Sequence, residues 1–399
     1  MRVLLVNNFV RHGSGVDRMV RLEQAFLAAH GHGVDLVARD NAGFGSARPL
    51  AAAALKASCL YSPSARRDVA ARLSGGSPDV VHVHNTVPLL TGAVYDALRD
   101  TRALVVAHLH DYRAFCPAAY AFRNDTGCDL CTRSLFAGCT VYRCYRHSLL
   151  ESAGLTTARL IDAAMGRRFG ASPHAYVACS RHVRDEHVAR GLPAARIAVV
   201  HNGVADPDPQ GRRRSRAAEV KRKLTFVGSL CRAKGVHLLP ALAAALPEFE
   251  IHLIGTGSES RRLHEAKLRG RLGNLVLHGF VDGPAKLDLW ADSLLTVVPS
   301  LWAEPCCLVA LESYALGVPV AASAGGGNPE LIDHGRTGLT ADFADTSATA
   351  QRVRALWDDR PALDTMRRAA RAVFEERFCS DVFGRNLVTA LDQLGRSAR

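Results

Sequence analysis

The sequence predicts an α/β protein of two doubly wound units, each a parallel sheet flanked by helices. Three observations carry this. Apolar runs of strand length alternate with amphipathic stretches of helix length, the order expected of parallel strands joined by crossover helices. That alternation stops once, between Asp206 and Lys223, in the polar, Pro-containing and highly charged stretch PDPQGRRRSRAAEVKRK, and then resumes. Finally, 399 residues with 48% hydrophobic content exceed the roughly 150 residues of one average domain and can bury two cores.

In the first half, residues 3–6, 33–38, 80–83, 103–107, 175–179 and 197–200 read as strands, with helical stretches at 18–30 and 182–189 among them. MRVLLVNNF reads as the first buried strand, since no basic stretch, long apolar run and small-residue cleavage site follow one another there. An apolar run of about 18 residues, as a spanning helix needs, occurs nowhere. The expectation is a cytoplasmic protein. The first domain is expected over 1–205, with a Cys-rich insertion at about 112–148, and a linker over 206–223. Strands are expected again at 224–227, 250–254, 275–277, 294–298 and 319–323. Helical patterns at 347–378, broken near Pro361, and at 380–394 close the chain. The second domain is therefore expected over 224–379, and the helix of 380–399 is expected to pack back towards the first. No fixed-period repeat is visible.

The most informative segment is LLTVVPSLWAEPCCLVALESYALGVPVAAS, residues 294–323. A buried strand ends at Val298, a loop carries Trp302 and Glu304, Pro305 stands where a first helical residue would, and Gly317 with Pro319 stops the helix. This reading sets Glu304 just outside the helix N-terminus and Glu312 two turns inside. The amides of Cys306, Cys307 and Leu308, at the positive end of the helix dipole, suit a diphosphate or an oxygen-rich sugar. Glu304 can accept hydrogen bonds from hexose hydroxyls, and Glu312 can take both ribose hydroxyls. Two glutamates eight apart can also be ordinary helix charges. In LTFVGSLCRAKGVHLLPAL, residues 224–242, a strand runs into a loop with Gly228, Ser229, Arg232, Lys234 and Gly235. Cations at the carboxyl end of a strand in an open α/β sheet are positioned to neutralise a diphosphate. Taken alone, they can also be loop charges.

Together these segments resemble glycosyltransferase family 4 of the GT-B fold. That family has G-R-L-x3-K-G before E-x7-E; here Gly228-Ser229-Leu230 leads to Lys234-Gly235, then Glu304 to Glu312. Further matches are Asn202-Gly203-Val204, HGFV at 278–281, GGGNPELI at 325–332 and HGRTGL at 334–339, and with those of the first half the resemblance runs in order over more than 300 residues. The resemblance implies two Rossmann-like domains facing each other across a cleft and a retaining transfer of a hexose from a nucleotide-diphosphate sugar to an acceptor hydroxyl. Two departures bear on the donor. Ser229 stands where the family usually has Arg, with Arg232 a candidate replacement, and Cys307 stands where Gly is common after E-P-x.

In the first domain, NNFVRHGSGVDR puts Gly13 and Gly15 in a loop after strand one, where the family has a Gly-rich loop at the cleft. In VVAHLHDYRAFCP, His110-Asp111 matches the family's His-Asp, which implies that His110 points at the transferred hexose; a histidine satisfied in the core is the other reading. His108, where a small polar residue is common, receives no role.

Of eleven cysteines, five fall between Cys116 and Cys144. Cys128 and Cys131 have the C-x2-C spacing of a zinc knuckle, and two further thiolates would complete a tetrahedron. Five candidates exceed four. The resemblance favours Cys116, Cys128, Cys131 and Cys144, with Cys139 as alternate. Structural zinc comes first, with reduced buried thiols next and a disulfide or iron–sulfur cluster after them. No catalytic metal is expected, because GT-B enzymes generally lack the acidic metal motif of other glycosyltransferases.

The formal charge of +12 is mostly Arg and is spread along the chain. It fits nucleotide-sugar phosphates or peripheral contact with the inner face of an anionic membrane. Nucleic acid fits least, since no basic stripe interleaved with aromatics is present and aromatics are 6% of the chain. The acceptor can be a carbohydrate, a lipid-linked sugar or a small molecule. Rival functions are a sugar phosphorylase or epimerase of the same fold, and a non-catalytic nucleotide-binding or partner-binding protein.

Overall fold

The computed structural model describes residues 1–10, 14–41, 59–165, 174–213 and 219–397. Gly13 and part of the 206–223 segment lie outside them. The chain divides into two units. One comprises Met1–Arg123, Gly127–Asn202 and Phe383–Arg399; the other comprises Asn124–Thr126 and Gly203–Val382.

The first unit contains β1 (Arg2–Phe9), β2 (Gly33–Asp40), β3 (Val80–Val83), β4 (Leu104–Leu109), a hairpin of β5 (Phe122–Arg123) and β6 (Thr126–Gly127), β7 (Ala175–Ala178) and β8 (Ile197–Val199). Six of these form one parallel sheet in the order β2-β1-β3-β4-β7-β8. The second unit contains β9 (Lys223–Val227), β10 (Glu250–Ile254), β11 (Leu275–Gly279), β12 (Leu295–Val298), β13 (Val320–Ala322) and β14 (Gly338–Thr340), in the order β11-β10-β9-β12-β13-β14. Its pairs are parallel too. Both are α/β sheets of the predicted kind. The three-residue β14 was not anticipated, being too short to show a period.

Each sheet grows first to one side of its opening strand and then to the other. The reversals fall between β1 and β3 and between β9 and β12, and ligands of open α/β sheets bind outside the carboxyl ends of strands at such points. In the first core, Leu4, Val6, Val81, Val83 and Val105 pack with Ala65, Val69, Leu90 and Leu98. In the second, Leu224, Phe226, Ile251, Leu253 and Val297 pack with Leu239, Leu242, Leu356 and Met366. Burial of the strands on both faces explains why they read as continuous apolar runs.

Helix α1 (Gly15–Ala29) starts earlier than the expected 18, so Gly15 is helical rather than part of a loop. A capping box is the reason: Ser14 Oγ accepts the Asp17 amide at 3.1 Å and Asp17 Oδ2 accepts the Ser14 amide at 2.9 Å. Helix α2 (Leu308–Ala315) starts later than expected, with Cys307 as its cap and Pro305 outside it. Tertiary backbone bonds hold the preceding segment out of the helix. The Leu301 amide bonds Ala233 O at 2.9 Å, and the Gly327 amide bonds Glu304 O at 2.7 Å. The expected helix of 347–378 breaks at Asp359, which caps the next helix, Arg360–Val373, through a 3.0 Å bond to the Ala362 amide.

Helix α3 (Ser380–Ser397) groups from Phe383 onward with the first unit. A Cβ on its Gly384 would lie 2.2 Å from the Phe26 ring of α1. Asp206, where the alternation stops, is tied by Arg371 Nη2 at 2.6 Å to the second unit. Within the Cys-rich insertion, Cys131, Phe136 and Cys139 form one small cluster of buried side chains. Of the eleven non-glycine residues with positive φ among the described residues, nine lie between Ala119 and His147, a costly backbone for so small a core.

Candidate functional site

In the second unit, the loops after β9 and β12 meet at the switch point. Gly235 has φ +69°, and a Cβ there would sit 1.8 Å from Pro299 O, so only glycine lets the two loops touch. That contact brings Lys234 beside Glu304, with Nζ 2.6 Å from Oε1. Ser300 Oγ donates to the same oxygen, and Lys234 lies over the Trp302 ring, 5.2 Å from its centroid. Gly326, φ +68°, closes on the backbone of Glu304 from the other side, where a Cβ would lie 2.3 Å from the carbonyl oxygen. The Glu304 side chain is only 4% exposed. Its burial is matched by an ion pair and a hydroxyl, as an ionised carboxylate requires.

Glu312, inside α2, accepts from Lys286 Nζ at 3.3 Å. Lys286 was missed; its segment, GPAKLDLW, reads as an ordinary amphipathic helix. Cys306 and Cys307 precede α2, Leu308 is its first residue, and the Ala310 amide is already bonded to Cys307 O at 3.0 Å. Burial and the adjacent Glu304 push the Cys307 thiol up to about 12, against the pull of Lys234 and of the Ala310 and Val309 amides, so it is neutral. Gly228 has φ +147° and its amide bonds Ile254 O at 2.9 Å; Ser229 O accepts the Cys231 amide at 2.9 Å. Arg232 stands apart from Lys234 in its pairing: its Nε donates to Asp125 Oδ1 at 2.7 Å, Asp125 grouping with this same unit.

In the first unit, a pocket opens beyond β3 and β4, lined among others by His84, Asn85, His108, His110, Arg113 and Tyr176. His110 is stacked on His108, with centroids 3.8 Å apart and planes 4° from parallel, and its Nε2 is 2.9 Å from His84 Nδ1. Burial pushes His110 well below the usual histidine range, and His84 and His82 add to this. Arg113 Nη1 donates to Asn85 Oδ1 at 2.8 Å, and Asn85 Nδ2 donates to Asn8 O at 3.1 Å, closing the rim of the pocket on β1. A neutral imidazole beside polar side chains suits an uncharged, hydroxyl-rich ligand.

Sequence reasoning left out the residues behind His110. The strand pairing sets His82 opposite Val106 and Val83 opposite Ala107, so His82 and His84 on one strand and His108 and His110 on the next share one face. The signal was present as VHVH and HLH. Among the described residues, the His, Cys, Asp and Glu side chains whose ligand atoms all lie within 4.8 Å of one another are His82, His84 and His108. The five cysteines are neighbours without forming such a group. Burial and the thiols of Cys116, Cys144 and Cys128 push Cys131 up to about 12. Cys144 is lowered to about 7, chiefly by the Cys139 thiol, with Arg123 adding to this.

The family model described as "Glycosyltransferase Family 4" matches residues 13–206, and that described as "Glycosyl transferases group 1" matches residues 208–373. A glycogen synthase of Mycobacterium tuberculosis is 32% identical over 230 residues, 56% of this chain and 54% of that protein. A D-inositol 3-phosphate glycosyltransferase of Mycobacterium sp. (strain KMS) is 34% identical over 189 residues, 44% of this chain and 42% of that one. The match thus spans about half the length of these curated relatives. Among solved structures, sucrose-phosphate synthase from Thermosynechococcus elongatus aligns with a TM-score of 0.70 at 19% identity, covering 100% of both chains. HepE from Anabaena, in complex with UDP and glucose, aligns with a TM-score of 0.67 at 18% identity, covering 98% of this chain and 100% of that one. These two likenesses show the GT-B fold.

Proposed function

Since the chain belongs to the family 4, group 1 glycosyltransferases, one model matching each half, we propose that it is a retaining hexosyltransferase using a nucleotide-diphosphate sugar. The observation that carries this reading is the Lys234–Glu304 pair at the switch point of the second sheet. A part-exposed ammonium beside a buried carboxylate offers one group to the diphosphate and the other to sugar hydroxyls. Glu312, with Lys286, takes the ribose. The acceptor hydroxyl attacks the anomeric carbon from the face the nucleotide leaves, and a departing phosphate oxygen accepts its proton. Lys234 and the first amides of α2 stabilise the charge that develops on the diphosphate. Arg232, engaged by Asp125, is secondary to Lys234. His110 meets the hexose in the pocket of the first unit.

UDP-sugars are the first donors to try, given the UDP complex of HepE. The test is nucleotide release from a panel of UDP-, GDP- and TDP-hexoses with carbohydrate, lipid-linked and small-molecule acceptors. Release that needs an acceptor supports transfer. Release dependent on inorganic phosphate, or interconversion of the sugar without acceptor, refutes it.

For the acceptor, this reading takes a substrate presented at an anionic membrane. The first unit exposes Leu135, Val141, Tyr142, Leu149 and Leu150 beside the exposed Arg143 and Arg146, a combination suited to an interface rich in acidic lipid. Among the described residues no helix is long and apolar enough to cross a membrane. The cysteines are taken as a staple for an insertion with little core of its own, with zinc as the ion that four thiolates select.

A further inference from the structure

Behind His110, the first unit carries buried side chains that the transfer does not use. Two adjacent parallel strands each contribute an H-x-H pair to one face: His82 and His84 at the end of β3, His108 and His110 at the end of β4. Glu23 enters from α1. Its Oε1 accepts from His82 Nδ1 at 2.7 Å, and its Oε2 lies 3.0 Å from His84 Nε2. His82 and Glu23 have fully buried side chains, and His108 is 5% exposed.

Three ring nitrogens in this cluster are buried without a hydrogen-bond partner, His82 Nε2 and both nitrogens of His108, while Glu23 Oε2 and His84 Nε2 have only each other. So many orphaned groups in one place call for an explanation, since each buried polar atom left unpaired costs about 1–3 kcal/mol. Their arrangement supplies one. Glu23 Oε2 and His84 Nε2 face each other at 3.0 Å. Two donors each about 2 Å from a common zinc ion sit at roughly this separation. The bond from His82 Nδ1 to Glu23 is the contact by which a carboxylate fixes a ligating imidazole and turns its other nitrogen to a metal. Nearby ligand atoms of His82, His84 and His108 all lie within 4.8 Å of one another.

We propose that His82, His84 and His108, with Glu23 beside them, bind one zinc ion beneath the pocket of the first unit. The donor set of imidazoles and a carboxylate suits zinc. With Nδ1 of His84 2.9 Å from Nε2 of His110, a metal on Nε2 of His84 would hold that ring and, through it, the imidazole facing the pocket. The ion is a positioning element with no part in bond making. Occupancy is independent of the transfer reading, because it is read from the metal alone.

The experiment is a cobalt(II) titration of the full-length chain after treatment with chelator, with zinc as competitor. The titration should give visible d–d absorption beyond any that accompanies the near-ultraviolet thiolate-to-cobalt band of the cysteine cluster, and zinc should displace it. His108→Ala and His82→Ala should abolish that absorption, Glu23→Gln should weaken cobalt binding by about 10–100-fold, and Cys128→Ser/Cys131→Ser should leave it intact. The wild-type spectrum needs no variant, so a misfolded mutant does not spoil the test. Absence of the imidazole-type spectrum overturns the proposal, as does its survival in folded His108→Ala. A thiolate band lost in the cysteine variant would report the cysteine cluster; if it were the only cobalt signal, it too would overturn the proposal.

Discussion

The two units present the same architecture at their switch points and fill it with opposite chemistry. Beyond β9 and β12 the second unit sets an ammonium against a carboxylate, Lys234 on Glu304 at 2.6 Å. Beyond β3 and β4 the first unit sets imidazoles, of which burial lowers His84, His108 and His110 so that they are neutral. Topology decides where a ligand sits, and the side chains after each strand decide what charge it carries. The second site suits a diphosphate, the first an uncharged polyol.

The largest expected effect breaks or upholds that contrast directly. Lys234→Ala should lower turnover by about 10²-fold or more while leaving the circular-dichroism spectrum unchanged, as loss of one positioned charge contact does. His110→Ala should act mainly on acceptor or sugar use, raising KM more than Lys234→Ala does. Steady-state release of nucleotide, with donor and acceptor varied separately, checks both. If Lys234→Ala retains near-normal kcat, the charged site is not the donor site.

Next in size is a stability effect confined to the first unit, which is completed by Phe383–Arg399, whereas all but three residues of the second form one continuous segment. Gly384→Val should overpack α3 against Phe26 and cost about 1–3 kcal/mol, read as a lower thermal midpoint. A similar substitution at exposed Gly273, where a Cβ meets nothing within 4 Å, should do far less.

A third expectation concerns nucleotide binding. A nucleoside diphosphate at 100 times its Kd should stabilise the wild type by about 2.7 kcal/mol, and Glu312→Ala should remove most of that shift. Loss of the shift in His110→Ala as well would erase the division of labour between the units.

The strands of both sheets were legible because burial on both faces makes them continuous apolar runs. Motif spacing also singles out Lys234 and Glu304, which the fold brings together, and Glu312, though not its Lys286 partner. What sequence reasoning misplaced was set by contacts distant in the chain. The start of α2 moved to Leu308 because Ala233 and Gly327 hold residues 301–304 in place. The Asp125 partner of Arg232, 107 residues away, is likewise invisible to spacing along the chain. The early start of α1 could have been read from Ser14-x-x-Asp17. His108, dismissed, acquires meaning only once strand register sets it beside His84.

The smallest expected effect sharpens the comparison through pH. His187, fully buried in the first unit, bonds Val183 O through Nδ1 at 2.7 Å and meets the Phe115 ring edge-on at 5.2 Å. Burial lowers its pKa, with Arg190 adding to this while the Val183 carbonyl and Asp111 oppose it. A histidine depressed in the folded state binds a proton more readily when unfolded. Its contribution to stability is therefore complete above the unfolded value of about 6.5 and is lost as pH falls through the interval down to the folded value. Urea midpoints measured from pH 8 to pH 5 should fall more steeply for the wild type than for His187→Gln, which cannot take up that proton. Parallel profiles would mean that His187 is solvated enough to titrate alike in both states, and that the first unit tolerates charge close to its neutral imidazoles.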